Sequence, residues 1–183
     1  KTELGEVPEG WEIGSVSDIG EIVCGKTPST RNPENFGNEI PFITIPDMHG
    51  KVFSINTARK LSLAGEATQK GKTIPAGSIC VSCIATTGLT IITTTASQTN
   101  QQINSVIPAN LHESIFWDWI LRDLGIEIQA AGSGGSVLSN LSTSRFAGLR
   151  VLFPPRELRE KYAELMRSNF DKIRSKQNEV HTI

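Results

Sequence analysis

Charge is missing from the middle of this sequence: between Thr73 and His112 there is no Asp, Glu, Lys or Arg. A stretch so neutral and so rich in hydroxyl and β-branched residues cannot be a solvated helix face, and it reads as buried strand with polar turns. Cysteine is also scarce. Three residues, an odd number, exclude a framework in which every thiol is paired. No apolar run approaches the roughly 20 residues needed to span a bilayer. The start, KTELGEVPEGW, has neither the apolar core nor the cleavage site of a signal peptide, so a cytoplasmic location is expected.

Catalytic patterns are absent as well. GSGGS at 132–136 has no following G-K-[ST] and no acidic partner downstream, so a nucleotide loop is not indicated. The three histidines do not sit beside a serine or cysteine nucleophile. LFPPRE at 152–157 carries prolines, but without the preceding amide or acid and following aromatic that methyl transfer to a base requires. The spaced acid-x-lysine arrangement of metal-dependent nucleases is missing too. Cys80 and Cys83 form a C-x-x-C, yet a zinc site would need two further ligands. Cys24, His49, His112 and His181 offer no second paired spacing. In a strand, residues three apart face opposite ways, so two buried thiols are expected rather than a metal or redox pair. No catalytic residue and no metal ligand is assigned.

What is present is ordinary in bulk and uneven in detail. With 183 residues, 38% hydrophobic and 20% charged, the chain can bury a core of its own. The net charge of −1 conceals segregation. Residues 1–24 set Lys1 against Glu3, Glu6, Glu9, Glu12, Asp18 and Glu21. Residues 25–72 carry Lys26, Arg31, Lys51, Arg59, Lys60, Lys70 and Lys72 against Glu34, Glu39, Asp47 and Glu66. A mildly basic middle suits a polyanionic partner but falls short of a self-sufficient nucleic-acid binder.

Pattern along the chain gives a turn at Pro8-Glu9-Gly10, an anchor at Trp11 and a strand at 20–24. Residues 26–39 read as a surface loop, 40–45 as a buried strand, and 46–71 as broken structure. The strongest strands are 78–85 and 89–96, separated by Gly88. Helical spacing links Ile115, Phe116, Trp119, Ile120 and Leu124, with Gly125 placed to stop the helix. A flexible glycine-rich segment, a short helix near 142–146 and a strand at 149–153 follow. From Arg156 the chain is highly charged, with Leu158, Tyr162, Leu165, Met166, Phe170 and Ile173 forming an apolar helical stripe that Asn169 interrupts. Such a helix either projects to pack on a partner or folds back on its own domain.

Several segments in order resemble one family. They are LGEVPEGWE (4–12), GKTPST (25–30), IPFITIPDM (40–48), IPAGSICVSCIATTG (74–88), TNQQINSVIP (99–108), AAGSGGSVLSNLS (130–142) and LRVLFPPRELREKY (149–162). This series is similar to the target recognition domain of type I restriction–modification specificity (S) subunits, followed by the start of their spacer helix. The resemblance implies an α+β fold: a mixed, strongly twisted β-sheet domain with a few short helices over 1–155, then a long C-terminal α-helix over 156–183. It also implies a non-catalytic reader of double-stranded DNA that recognises one half of a split target. Methyltransferase (M) subunits would dock on it, and restriction (R) subunits would join the complex. S-adenosylmethionine, ATP and Mg are expected on those partners and no cofactor on this chain. With one recognition domain and one helix, the chain is expected to be half of a longer subunit, or a half-size subunit pairing through residues 156–183. The alternatives are a recognition domain of a fused restriction–methylation enzyme, or an assembly protein working through its C-terminal helix.

Members of such a family share a framework and differ in the sequence they read. The amides Asn100, Gln101 and Gln102 belong to the shared signature, so they are expected to tie loops together rather than to read adenine. Off-signature polar loops are the better DNA-binding candidates. These are Lys26, Thr30, Arg31 and Asn32; His49, Lys51, Asn56, Arg59 and Lys60; Lys70 and Lys72; and Ser133, Ser136 and Asn140 around the glycine-rich loop. Lys and Arg would mostly hold phosphates, while an Arg reaching a guanine edge would specify a base.

Overall fold

The uncharged middle of the sequence builds the centre of the molecule. The structure is a computed structural model that describes residues 6–132 and 141–180. Its strands are β1 (Glu12–Ser15), β2 (Gly20–Cys24), β3 (Phe36–Ile43), β4 (Phe53–Ser54), β5 (Arg59–Leu61), β6 (Ile79–Ser82), β7 (Thr90–Thr93), β8 (Gln98–Thr99), β9 (Ile103–Pro108) and β10 (Arg150–Phe153). Its α-helices are α1 (Val16–Ile19), α2 (Ile45–Met48), α3 (Leu63–Ala67), α4 (Ser114–Gly132), α5 (Thr143–Ala147) and α6 (Arg156–Val180).

Among the described residues the main sheet has the order β2-β9-β6-β7-β4, antiparallel except where β4 runs parallel to β7. Both of its faces are buried, and the residues alternate between two apolar layers. Ile79, Val81, Ile92 and Val106 meet the helical layer, built from Val16 and Ile19 of α1, Phe116, Trp117 and Leu121 of α4, and Phe146 of α5. Cys80, Ile91 and Ile103 face the other way, onto Val23, Ile43, Met48 and Ile74. That second layer is closed by a three-stranded sheet in the order β5-β3-β8, in which β3 pairs antiparallel with β5 and parallel with β8. A third, two-stranded antiparallel pair joins β1 to β10 and so ties the N-terminus to the segment before α6. The result is a mixed α+β fold with a long C-terminal helix.

Several local readings of the sequence need correcting. The strand expected at 40–45 begins earlier, at Phe36, and ends at Ile43 because Thr44 and Asp47 form a capping box that starts α2. The segment 46–71 contains β4, β5 and α3 as short ordered pieces. Gly125 does not stop α4, which continues to Gly132. Its role is close approach: a Cβ on Gly125 would lie 2.3 Å from the carbonyl oxygen of Gly88, in the turn between β6 and β7. Gly88 itself has a φ of +84°, which favours glycine a second time.

The C-terminal helix neither simply projects nor is wholly absorbed. One face lies on the domain. Arg159 donates to buried Glu113 at 2.7 Å, Tyr162 packs edge-on against Phe116, and Phe170 does the same against Phe53. Near its end, the Gln177 Oε1 accepts from the backbone amides of Val52 (3.3 Å) and Phe53 (3.1 Å). The Gln177 amide thus serves the free side of edge strand β4, which would otherwise present unpaired backbone. Beside these contacts Leu158, Leu165, Ile173 and Val180 stay exposed.

Candidate nucleic-acid interface

The amide-rich turn between β8 and β9 is mostly internal. Gln98 is fully buried; its Nε2 donates to Thr73 Oγ1 at 2.9 Å and its Oε1 accepts from Gln69 at 3.0 Å. Asn100 folds the turn on itself, donating to Gln102 Oε1 and accepting from the Gln102 amide. Asn104 is buried in β9 and accepts from Thr143 at 2.9 Å. Gln101 differs: it is exposed, and its Oε1 accepts from Thr27 Oγ1 at 2.6 Å, tying the 25–32 loop to this turn. The backbone adds two bonds at the same seam, Gly25 N to Ile103 O and Lys26 N to Thr99 O.

Lys26, Thr30, Arg31 and Asn32 are all exposed on that loop. Asn32 is partly committed, because its side chain accepts from the Glu34 amide and caps the short 3-10 turn Pro33–Asn35. Thr30 joins Phe36, Asn38, Thr57, Arg59 and Lys60 in lining one cleft, so loops separated in sequence converge there. The Arg59 guanidinium lies over the Phe36 ring, 4.1 Å from its centroid. Asn56 is exposed on the loop leading into this cleft.

His49 and Lys51 lie elsewhere. They line a second cleft with Lys172, Ile173, Lys176, Gln177 and Val180 of α6. Gly50 and Lys51 also border a further cleft that contains Thr90 and Arg122. Lys70 is exposed and Lys72 half-buried, in the turn that follows α3. Ser133, Ser136 and Asn140 lie outside the described residues. Candidates drawn from the loops alone missed Phe36 and Asn38 on the first cleft and Lys172 and Lys176 on the second. Phe36 was detectable as an aromatic isolated in a polar loop. The two lysines blend into the charged face of α6, and nothing in the sequence links them to residues 49–51.

The helix stripe divides. Tyr162 and Phe170 pack inward and Met166 is half-buried, whereas Leu158, Leu165 and Ile173 are exposed. Trp119 on α4, half exposed, stands 6.0 Å from Tyr162 and extends the apolar surface beside α6. Cys80 and Cys83 sit in different apolar layers, one on each side of the sheet. Burial pushes their thiols up to about 12 and about 11, so neither is a thiolate near neutral pH. No group of three or more His, Cys, Asp or Glu placed to hold a metal ion occurs among the described residues.

Comparison with known proteins gives this surface its context. Residues 8–182 match the model of the type I restriction modification DNA specificity domain. The chain belongs to that family. It is 44% identical over 171 residues to the HindI type I restriction enzyme specificity subunit of Haemophilus influenzae, covering 92% of this chain and 37% of that protein. It is 27% identical over 187 residues to the MjaIX specificity subunit of Methanocaldococcus jannaschii, covering 98% of this chain and 43% of that one. The chain therefore spans less than half the length of these specificity subunits. The fold recurs in the HsdS subunit of Thermoanaerobacter tengcongensis, with a TM-score of 0.65 at 14% identity over 95% of this chain and 41% of that one. It recurs also in the S subunit of M. genitalium, with a TM-score of 0.64 at 13% identity over 95% and 43%.

Proposed function

We propose that this specificity-domain chain reads one half of a bipartite DNA target and carries no catalytic centre of its own. The observation that carries the reading is the 44% identity to a type I specificity subunit across 92% of the chain. In this reading the 25–32 loop and the cleft at Arg59 and Lys60 face the DNA. Lys26, Arg31 and Lys60 hold phosphates and fix register, and groups inside the cleft read base edges. Lys51, Lys172 and Lys176 add positive charge along the flank where α6 crosses β4.

The exposed stripe at Leu158, Leu165 and Ile173 is the surface for a second recognition domain or a second copy of the chain. M subunits dock on the same assembly and supply S-adenosylmethionine, with ATP and Mg belonging to R subunits. In this reading the site of action is the cytoplasm. Residues 1–155 act as the recognition domain and 156–183 as the spacer helix.

Affinity for DNA rises with the number of phosphates neutralised. With net charge −1, the chain alone is expected to bind DNA weakly and with little selectivity, and tightly once assembled with M subunits. Electrophoretic shifts with and without M test this. Nanomolar specific binding by the isolated chain at physiological salt would contradict it.

A further inference from the structure

We propose that Arg59 reads a guanine, taking the O6 and N7 acceptors of its major-groove edge. This rests on the DNA-reading function above and assigns a base class to one residue within it.

The side chain is held in advance of any ligand. Its guanidinium lies over the Phe36 ring at 4.1 Å, and ring stacking fixes the plane of the fork. The backbone beneath it is held as well. Arg59 pairs with Phe42 across the β3–β5 ladder, Thr57 Oγ1 donates to the Arg59 carbonyl at 2.6 Å, and the Ala58 amide donates to Asp47 Oδ1 at 2.8 Å. Two carboxylates of this region accept hydrogen bonds from groups other than Arg59. Asp47 is buried and takes Thr44 N and Thr44 Oγ1 on its other oxygen. Glu39 accepts from the Asn38 amide at 2.9 Å. Among the described residues no ion pair reaches Arg59, so its donors point at solvent in a cleft walled by Thr30, Asn38 and Lys60.

A stacked, exposed and unpaired guanidinium is complementary to a pair of coplanar acceptors. In DNA both guanine and phosphate present acceptors to it. Guanine is favoured because exposed Lys26 and Arg31, together with Lys60, already offer charge for the backbone around the cleft. Stacking on a ring in a concave site constrains direction more than a phosphate contact needs.

The test uses the whole specificity subunit containing this chain, assembled with its M subunits, on duplexes carrying the mapped target. Each guanine of the half-site is replaced in turn by 7-deazaguanine, which lacks the N7 acceptor. At one position this is expected to weaken wild-type binding about tenfold and to have no effect on the Arg59→Ala assembly. Arg59→Lys, which keeps charge and fold, should lose discrimination at that base pair by about 10- to 100-fold and nowhere else. Phe36→Leu should show a partial loss at the same position. A uniform loss across sequences, with the salt slope reduced by about one, would instead mark a phosphate contact and overturn the proposal. Unchanged discrimination in both Arg59 variants, or a half-site without guanine, would overturn it equally. Failure of the wild-type assembly to bind any specific sequence would remove the DNA-reading function, and this assignment with it.

Discussion

At the scale of single residues, the buried carboxylate Asp118 has a measurable signature. Its side chain is 2% exposed on α4, and its ion partner Arg122, 3.2 Å away, is 40% exposed. Burial disfavours the charged form and pushes the carboxyl above its usual range, with Arg122 opposing that shift. As pH falls, such a group binds its proton in the folded chain before the unfolded chain does. It therefore adds stability as pH drops from neutrality toward the unfolded value of about 3.9. Asp118→Asn removes this dependence. Urea melts between about pH 4 and pH 7 should show the wild type gaining on the variant as pH falls; a constant or opposite difference would contradict the assignment. Gly125 is a second case. Alanine in mid-helix is ordinarily favourable by about 1 kcal/mol, but here the Cβ would strike the Gly88 carbonyl. Gly125→Ala is expected to lower stability by about 1–3 kcal/mol, read from the same melts, and a stabilised variant would show that the two segments separate freely. The sequence alone suggested a helix stop at this glycine because the opposing backbone lies 37 positions away (125 − 88) and leaves no local trace. The cysteines were legible for the converse reason: strand alternation is local, and it puts Cys80 and Cys83 in separate layers.

At the scale of elements, the junction between α4 and α6 controls how the long helix leaves the domain. Glu113 is the hub. It accepts from Trp117 Nε1 at 3.0 Å, from Arg159 Nε at 2.7 Å and from Asn110 at 3.2 Å. Arg159 also donates to the Pro154 carbonyl and lies over the Trp117 ring. Both ion-pair partners are largely buried, so removing one leaves the other without compensation. Glu113→Ala should cost about 3–5 kcal/mol and speed hydrogen exchange at the start of α6; a loss below about 1 kcal/mol would mean the pair is solvated. The existence of α6 was plain from its apolar stripe, but its docked face was not. The stripe does not say whether Tyr162 or Leu165 turns inward, and two docking contacts are polar, through Arg159 and Gln177. Strand β9 was hidden likewise. Its sequence INSVIP carries a buried Asn104 whose partner, Thr143, lies 39 residues on.

At the scale of the whole molecule, the mixed fold of the domain followed from the order of segments rather than from any one of them. The candidate interface was legible in part. Thr30, Arg59 and Lys60 share one cleft, while His49 and Lys51 open onto another beside α6. That division depends on how α6 crosses the edge of the sheet, which no local pattern encodes. Both clefts offer positive charge on a nearly neutral chain, which suits a reader that needs an assembly around it. The proposed reading of half of a split DNA target has a direct consequence in the cell. Methylome sequencing of cells expressing the M subunits, with and without a specificity subunit carrying this chain, tests it most directly. A methylated bipartite motif present only with the chain, one half of which changes when residues 26–60 are exchanged for those of a relative, is the predicted result. An unchanged methylome, or a motif indifferent to that exchange, would mean that this chain does not choose the half-site.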